Sequence, residues 1–209
     1  MRNRRQYYQC SSCKKYQFKS HLKKRSVTHH SEMVVMLQNE GMSISGISRI
    51  LKISKASVIN LIRKEASSVK EFSFLEENQE YEVDELRTFV GNKKAETWIT
   101  YAINKQSKQV ITLTVGRRSK SQISEVTEVL NKLNPKRIYT DGLLVYRSLI
   151  QQGVHRVRKY GTNGIERLNL TIRTHLKRLS RKTICYSKST DMLKASMCLY
   201  IQKYNTLHD

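Results

Sequence analysis

The sequence has 209 residues, of which 38% are hydrophobic and 27% charged, with a single proline, a balance typical of a globular protein rather than a disordered chain. Lysine and arginine number 39 against 17 acidic residues, so the formal net charge is +22. This charge indicates a polyanionic partner, because each basic side chain that neutralises a phosphate releases a condensed counterion. A merely basic, ribosomal-type protein is the alternative on charge alone.

No apolar segment reaches the ~18 residues of a membrane span, and the first residues, MRNRRQYYQC, lack the apolar core of a signal peptide. We therefore expect a cytoplasmic protein in a reducing compartment. Its four cysteines do not predict a disulfide framework in such a compartment: Cys10, Cys13, Cys185 and Cys198.

The N-terminal segment, residues 1–28, contains the stretch YYQCSSCKKYQF. A Cys-x-x-Cys turn between aromatic and basic residues is half of a zinc ribbon, since tetrahedral zinc takes four ligands. No second pair precedes Cys10, and the histidines that follow fit no known zinc spacing: His21, His29 and His30. Two interpretations stay open, a zinc site that uses Cys10 and Cys13, or two free cysteines in a remnant of a ribbon.

The stretch from residue 29 to residue 66 predicts three short helices that form a helix-turn-helix domain. Ser43 or Ser45 can cap the second helix, and Ser54 caps the third. Apolar side chains recur at helical spacing in the first two helices: Met33, Val34, Leu37, Ile44, Ile47, Ile50 and Leu51.

The third of these helices carries a surface suited to a DNA major groove. Helical spacing buries Val58, Leu61 and Ile62. It exposes a set of basic and polar residues: Lys55, Ser57, Asn60, Arg63 and Lys64. Three short helices can also be a generic packing unit, but the basic, amide-bearing face favours DNA binding.

A composition shift marks residues 67–80 as a linker, and residues 81–209 predict a larger domain. Three strands (YEVDELRTFVG, TWITYAIN and QVITLTVG) precede the amphipathic helix SKSQISEVTEVLNKL. A short strand, PKRIYTDG, another near His155, the helix NGIERLNLTIRTHLKRLSRK and a final helix from about residue 189 follow. We assign the order βββαβαβα, which is that of the ribonuclease-H-like fold, a mixed sheet of the α+β or α/β class.

Three acidic residues stand in the order in which such a fold needs them for metal-dependent phosphodiester chemistry. Asp84 lies in the first strand, Asp141 ends the fourth strand before a glycine, and Glu166 begins the late helix. Carboxylates at these places can hold two Mg²⁺ ions, which take oxygen ligands. Taken alone, Asp141 is also typical of a turn residue, and Glu166 is also typical of the first turn of a helix. Glu82 and Glu85 are alternatives to Asp84 as the acid of the first strand.

A polar stripe continues from Glu166 along the same helix, beside the apolar stripe that faces the core. Its members stand three or four residues apart: Glu166, Asn169, Arg173 and Lys177. A carboxylate, an amide and cations on one edge suit a metal ion and the phosphates beside it.

The motifs VDELRTFVG, YTDGLLVY and GTNGIERLNLTIRTHLKRLSRKTICYSKS resemble the DDE transposases of the bacterial insertion-sequence-one family over residues 81–205. That family also carries a zinc ribbon and a helix-turn-helix, which correspond to residues 7–65. The resemblance implies a catalytic triad of Asp84, Asp141 and Glu166 and a basic signature after it: Asn169, Arg173, Arg178 and Arg181. The chain departs from the family pattern in two ways: the ribbon lacks its first cysteine pair, and Arg87 stands where an aromatic residue is expected.

The resemblance implies a protein that binds the terminal inverted repeats of its element, cleaves the DNA ends and transfers them to a target. Two Mg²⁺ ions, with Mn²⁺ as a substitute, would serve the triad, and zinc would serve the ribbon. Lys159, Arg173 and Lys177 would contact backbone phosphates, whereas Tyr139 and Tyr146 are expected to pack rather than act as nucleophiles. The implied assembly is a homo-oligomer that synapses two ends on double-stranded DNA in the bacterial nucleoid.

Two other functions remain compatible with the sequence. One is a catalytically inactive, transposon-derived repressor whose sheet domain only dimerises. The other is a structure-specific nuclease of the same fold, which would cleave without joining and would not need residues 1–65.

Overall fold

The structure is a computed structural model that describes residues 7–18, 27–69, 76–157 and 161–208. It contains a small antiparallel hairpin of β1 (Tyr7–Gln9) and β2 (Tyr16–Phe18), a unit of three helices, and a mixed five-stranded sheet covered by three further helices. No helix in these ranges is long and apolar enough to cross a membrane.

The three-helix unit consists of α1 (Val27–Asn39), α2 (Ile44–Leu51) and α3 (Lys55–Ser68). Serine side chains start the second and third helices, as expected: Ser43 Oγ accepts the Gly46 N–H at 3.0 Å, and Ser54 Oγ accepts the Ser57 N–H at 3.0 Å. α2 ends at Lys52, whose left-handed backbone (φ 53°) turns the chain into α3.

The core of this unit contains apolar residues that the helical spacing predicts, with one clear exception. Val34, Ile47, Val58 and Ile62 are fully buried. Ile50, which the same spacing predicts to face inward, is 55% exposed. It lies at the edge of the buried stripe, because a position three residues after Ile47 is turned about 60° from it around the helix axis.

The sheet has the order β5-β4-β3-β6-β7. The strands are β3 (Glu80–Phe89), β4 (Glu96–Asn104), β5 (Val110–Gly116), β6 (Arg137–Thr140) and β7 (His155–Val157). β3, β4 and β5 form an antiparallel meander, whereas β6 and β7 add to the other side of β3 in parallel. The central strand β3 is therefore the strand at which the antiparallel and parallel parts of the sheet meet.

Helices cover both faces of the sheet. α4 (Lys120–Lys132) packs on one face, against a cluster that includes Val83 of β3 and Ala102 of β4. α5 (Asn163–His175) and α6 (Thr190–Thr206) pack on the other, against a cluster that includes Leu86 of β3 and Tyr101 of β4. Even-numbered residues of β3 thus face α5, and odd-numbered residues face α4.

Two elements differ from the sequence-based expectation. The segment between β6 and β7 contains a 3₁₀ helix at Leu144–Ser148 instead of an α-helix. The helix that carries Glu166 ends at His175 instead of running on through the basic signature. Leu176 leaves the helical conformation (φ −96°, ψ 95°), and a 3₁₀ turn at Lys177–Leu179 follows. Leu176 and Leu179 are both buried at this turn.

The three-helix unit shares its core with α6. Met192, Ala195 and Leu199 of α6 complete the cluster around Val34, Ile47, Val58 and Ile62. The Asn39 side chain donates to the Leu199 carbonyl at 3.3 Å, and Lys203 pairs with Glu40 at 2.6 Å. Within the described residues, the helical unit and the sheet are therefore packed as one body.

Candidate active site

The site lies where two parallel strands separate. β3 and β6 pair only through Glu80–Arg137, Tyr81–Ile138 and Glu82–Tyr139. Two residues beyond the last pair are Asp84, within β3, and Asp141, which directly follows β6, so the two occupy equivalent positions on either side of the gap. β6 leaves the sheet here because Gly142 adopts φ +93°, a conformation that favours glycine, and the 3₁₀ helix begins soon after it.

Three carboxylates meet at this gap. Oxygens of Asp84, Glu85 and Asp141 all lie within 4.8 Å of one another, and in the described part of the chain this is the one such group of acidic, histidine or cysteine side chains. Asp141 is exposed and accepts the Leu143 N–H at 3.0 Å, whereas Asp84 is partly buried and Glu85 is buried.

Asp84 is held in place by two donors. Its Oδ1 accepts the Glu85 N–H at 2.7 Å, and its Oδ2 accepts Nδ2 of Asn169 at 2.6 Å. Burial, opposed by the Glu85 amide hydrogen bond and supported by the nearby charge of Asp141, raises the pKa of Asp84 to about 6. A metal ion would reverse this effect, because it favours the ionised carboxylate.

Asn169 links the site to the middle of the sheet. Its Oδ1 accepts the Tyr101 hydroxyl at 2.8 Å while its Nδ2 donates to Asp84, so both ends of the amide are fixed. Tyr101 stands opposite Asp84 in the β3–β4 ladder. The side chain predicted to line the site therefore orients the strand-one carboxylate.

Glu166 lies in the first turn of α5, exposed, with Oε1 accepting the Thr162 hydroxyl at 2.8 Å. It is not one of the clustered carboxylates. It stands one turn before Asn169 on the same helix face, and Asn169 touches Asp84. The structure thus brings Asp84 and Asp141 together and places Glu166 on the adjoining edge of α5.

The start of α5 is itself fixed by a buried acid of β3. Glu82, which the sequence leaves as a rival of Asp84, is 2% exposed, and its Oε2 accepts the Ile165 N–H at 2.8 Å. Lys108 lies 3.7 Å from its other oxygen. Glu82 is therefore occupied by the helix N-terminus, where a negative charge is favourable, and it is absent from the carboxylate cluster.

Glu85 is the member of the cluster that sequence reasoning does not place there. The sequence offers Glu85 only as an alternative to Asp84 for the first-strand position. Two-residue alternation directs its side chain to the opposite face of the sheet, so it is not expected to join Asp84 in one site. In the structure it receives a hydrogen bond from the Tyr146 hydroxyl and an ion pair from Arg118 at 2.7 Å. In the sequence, only its position next to Asp84 indicates that Glu85 could belong to the site.

Tyr139 and Tyr146 are both buried. Burial raises the pKa of Tyr146, and its hydroxyl is engaged by Glu85. The Tyr139 hydroxyl donates to Glu80 at 3.3 Å, and the Lys105 ammonium lies 3.6 Å from the centre of the Tyr139 ring. These contacts are those of packed side chains, in agreement with their expected role.

The residues predicted to contact DNA fall into two groups. Arg173 donates to the carbonyls of Leu179 and Arg87 at 2.8 and 3.1 Å, and Arg178 donates to Ser187 Oγ at 3.1 Å. Burial lowers the pKa of both guanidinium groups. The following remain exposed: Lys55, Ser57, Asn60, Arg63, Lys64, Lys177 and Arg181. Lys159 lies outside the described residues.

Cys10 and Cys13 lie in the connection between β1 and β2. The Cys10 N–H donates to the Lys15 carbonyl at 2.9 Å, and its carbonyl accepts the Lys14 N–H at 3.0 Å. A hydrogen bond with the Cys13 backbone lowers the pKa of the Cys10 thiol, which favours the thiolate that zinc requires. No third acidic, histidine or cysteine ligand joins them among the side chains that the structure describes.

The donor set at the β3–β6 gap fits a hard divalent cation. It consists of carboxylate oxygens alone, which Mg²⁺ and Mn²⁺ prefer, and one of the three side chains is open to solvent. The open side leaves room for water ligands and for a phosphate group, which Mg²⁺ sites in phosphoryl-transfer enzymes retain.

Comparison with known proteins gives a consistent assignment. The family described as IS1 transposase matches residues 80–206. The InsB protein of insertion element iso-IS1n from Shigella dysenteriae is 35% identical over 123 residues, which are 59% of this chain and 94% of that protein. The InsB protein of insertion element IS1 4 from Escherichia coli (strain K12) is 33% identical over 111 residues, which are 53% of this chain and 66% of that protein.

Two solved structures align with the chain at low similarity. A chain of the simian T-cell lymphotropic virus intasome in complex with PP2A regulatory subunit B56 gamma aligns with a TM-score of 0.39 and 13% identity, over 82% of this chain and 67% of that one. A chain of the piggyBac transposase synaptic complex with hairpin DNA aligns with a TM-score of 0.33 and 12% identity, over 69% of this chain and 43% of that one.

Proposed function

This chain belongs to the IS1 transposase family, and we propose that it binds the inverted-repeat ends of its element, cleaves them and joins them to target DNA. The carboxylate cluster at the β3–β6 gap, with Asn169 of α5 in contact with Asp84, is the observation that carries the proposal. The strand order and the helices on both faces support a ribonuclease-H-like catalytic domain.

Asp84, Asp141 and Glu166 are the proposed catalytic residues. Two Mg²⁺ ions, or Mn²⁺ in their place, held by these carboxylates would activate the attacking oxygen and stabilise the leaving one. Asn169 keeps the Asp84 carboxylate aimed at the gap, and Glu82 fixes the first turn of α5 from which Glu166 projects.

The reaction consists of two displacements at phosphorus. Water first attacks the phosphodiester at the element end, which frees a 3′-hydroxyl on one side and leaves a phosphate on the other. That 3′-hydroxyl then attacks a target phosphodiester, so that one bond forms as another breaks and a target 3′-hydroxyl leaves. No side chain forms a bond to DNA, which agrees with the engagement of Tyr139 and Tyr146 in packing contacts.

DNA contacts are proposed on two surfaces. α3 carries the exposed face for the inverted repeat, as the last helix of a helix-turn-helix. Lys177 and Arg181, together with Lys159, would bind backbone phosphates near the catalytic residues, whereas Arg173 and Arg178 would act by holding the segment after α5 in place. We further propose that a homo-oligomer synapses two ends in the nucleoid. Metal analysis of the purified chain decides between the two interpretations of Cys10 and Cys13, a zinc site or two free cysteines in a remnant of a ribbon.

End cleavage and strand transfer on labelled inverted-repeat DNA test the central proposal. With Mg²⁺, we expect wild-type protein to cleave and join, and Asp141→Asn and Glu166→Gln to lower both rates by more than about 100-fold. Glu80→Gln, a change at the start of the same strand β3, is the control and should keep activity. Full activity of Asp141→Asn would contradict the assignment of the three catalytic residues.

The same assays separate the alternative functions. A repressor would protect the inverted repeat in footprinting but would not cleave it. A structure-specific nuclease would cleave without joining and would tolerate Asn60→Ala and Arg63→Ala on α3. We expect these two changes to weaken protection of the inverted repeat and to reduce end cleavage in parallel.

A further inference from the structure

Glu85 occupies an unusual place beside the site. It follows Asp84 in β3 and points to the α4 face of the sheet, yet one of its oxygens lies within 4.8 Å of oxygens of both Asp84 and Asp141. Its side chain is 1% exposed. Both of its oxygens have a donor, namely the Tyr146 hydroxyl at Oε1 and Arg118 Nη2 at Oε2, the latter at 2.7 Å.

The two donors come from the segments that frame the gap. Tyr146 belongs to the 3₁₀ helix that starts three residues after Asp141. The segment that positions Asp141 therefore also donates a hydrogen bond to Glu85. Arg118 lies between β5 and α4, and its guanidinium stacks over the Trp98 ring, 4.5 Å from the ring centre. The carboxylate is therefore fixed from both sides and cannot swing away from the two aspartates without giving up a partner.

Stability alone gives a weak reason for such an arrangement. A buried ion pair loses solvation as it gains Coulomb attraction, and a well-packed apolar pair of similar volume is often as stable or more stable. Fixed second-layer carboxylates, in contrast, are a common means of tuning a metal site.

We propose that Glu85 is a positioning residue of the divalent-metal site, a third carboxylate whose buried negative charge strengthens metal binding at Asp84 and Asp141. The proposal rests on the function proposed above. Arg118 balances the charge of Glu85 and weakens its pull on the metal, and Tyr146 holds the carboxylate at the gap. The backbone of Glu85 contributes as well, since its N–H donates to Asp84 Oδ1.

Two variants that break the same ion pair from opposite ends distinguish this role from a structural one. Mn²⁺ binding is measured by electron paramagnetic resonance on the full chain without DNA. Glu85→Gln removes the negative charge and should weaken Mn²⁺ binding on the order of 10-fold. Arg118→Met leaves the negative charge without its balance and should tighten Mn²⁺ binding several-fold. If the ion pair only joins β3 to the β5–α4 connection, Glu85→Gln and Arg118→Met should change Mn²⁺ affinity in the same direction and by a similar factor.

Controls separate this inference from the proposal on which it rests. Glu80→Gln, which breaks exposed ion pairs with Lys105 and Arg137 elsewhere on β3, should leave Mn²⁺ binding unchanged. Asp84→Asn should abolish it. Loss of binding in Asp84→Asn with no change in Glu85→Gln overturns only the role of Glu85, whereas wild-type binding in Asp84→Asn overturns the metal site itself.

Thermal unfolding of each variant shows whether it is folded. If Glu85→Gln does not fold, Glu85→Asp retains the charge but withdraws the carboxylate by one methylene group. It is then expected to weaken Mn²⁺ binding several-fold, and unchanged binding in Glu85→Asp together with weaker binding in Arg118→Met would contradict the proposal.

Discussion

At the scale of single residues, the carboxylate of Asp84 is placed where water solvates it poorly. Asp84 is held by the Glu85 amide and by Asn169, and burial raises its pKa to about 6. The ionised form is therefore costly in the metal-free protein, and a bound cation relieves that cost. Burial of Asp84 therefore lowers stability at a pH where this carboxylate is ionised.

The pKa of Asp84 gives the first prediction. It is about 6 in the folded protein against 3.8 for the unperturbed group, so between these values the folded state binds more protons than the unfolded state. The free energy of unfolding should therefore fall as pH rises from about 4 to about 6. In Asp84→Asn this fall should be absent, and the variant should be more stable at pH 7 by on the order of 1–3 kcal/mol, allowing for partial solvent screening.

Urea unfolding of wild type and Asp84→Asn over this pH range, with a chelator present, measures the effect. Added Mn²⁺ should stabilise the wild type above pH 6 and the variant much less. Two pH profiles that run parallel would show that Asp84 does not titrate with a raised pKa.

At the scale of elements, the position of α5 decides where Glu166 and Asn169 lie. Glu82 of β3 reaches across to the first turn of α5 and accepts the Ile165 N–H. Gly164 leaves space for this contact, because a Cβ at this position would lie 2.8 Å from a Glu82 oxygen and would displace the carboxylate. One buried carboxylate thus connects the central strand to the helix that carries Glu166 and Asn169.

Glu82→Ala tests this connection. The change leaves the Ile165 N–H without its buried acceptor and should lower the free energy of unfolding by about 2–3 kcal/mol. End cleavage should also fall, since α5 is no longer held at its N-terminus. Glu77→Ala, at an exposed acid just before β3, is the matched control and should change neither quantity. Equal stability of the two variants in urea would refute the proposed anchoring.

At the scale of the whole molecule, the three-helix unit and the sheet form one packed body. α6 contributes Leu199 to the core of the helical unit and Leu193, Met197 and Ile201 to the core beside the sheet. The proposed DNA-reading helix α3 is therefore fixed relative to the carboxylate cluster, and the two surfaces would meet DNA in a set geometry.

Leu199→Ala tests whether this body unfolds as a unit. Removal of a fully packed leucine side chain typically costs about 2.7–5.0 kcal/mol, and we expect a value of about 3 kcal/mol for Leu199. Trp98, the one tryptophan of the sequence, lies in β4 and reports on the sheet by fluorescence, whereas far-ultraviolet circular dichroism is dominated by the helices. Both signals should shift together. Separate transitions would mean that the helical unit unfolds by itself.

The charge of the whole molecule gives the last prediction. Substitution of Lys55, Arg63 and Lys64 on α3 by alanine should reduce the slope of log affinity for inverted-repeat duplex against log salt, by about 0.9 for each phosphate that is no longer neutralised. Lys132→Ala, at the end of α4, outside the proposed DNA surfaces, should leave the slope unchanged. A slope that responds equally to both changes would indicate that α3 does not form the DNA surface.

The sequence by itself determined most of the helices and strands and their order, apart from the 3₁₀ helix at Leu144–Ser148 and the early end of α5. Periodicity of two located β3, and β-branched and aromatic residues located β4 and β5. Helical spacing located the helices. Of the two serines predicted as possible caps of α2, Ser43 starts that helix, and Ser54 starts α3 as predicted. These features are local, because side-chain period and capping depend only on residues a few positions apart. The family followed from long motifs around the same residues.

Only the tertiary structure decided which of these residues meet. Glu85 joins Asp84 and Asp141 although alternation directs it to the other face, because β3 and β6 separate beyond Glu82 and open a gap that both faces of β3 can reach. Because α5 ends at His175, Arg173 can donate to the carbonyl of Leu179 in the turn that follows. In a similar way, side chains of α6 complete the core of the helical unit. Such contacts join residues far apart in the chain, and local patterns carry no information about where two strands separate or where α5 ends.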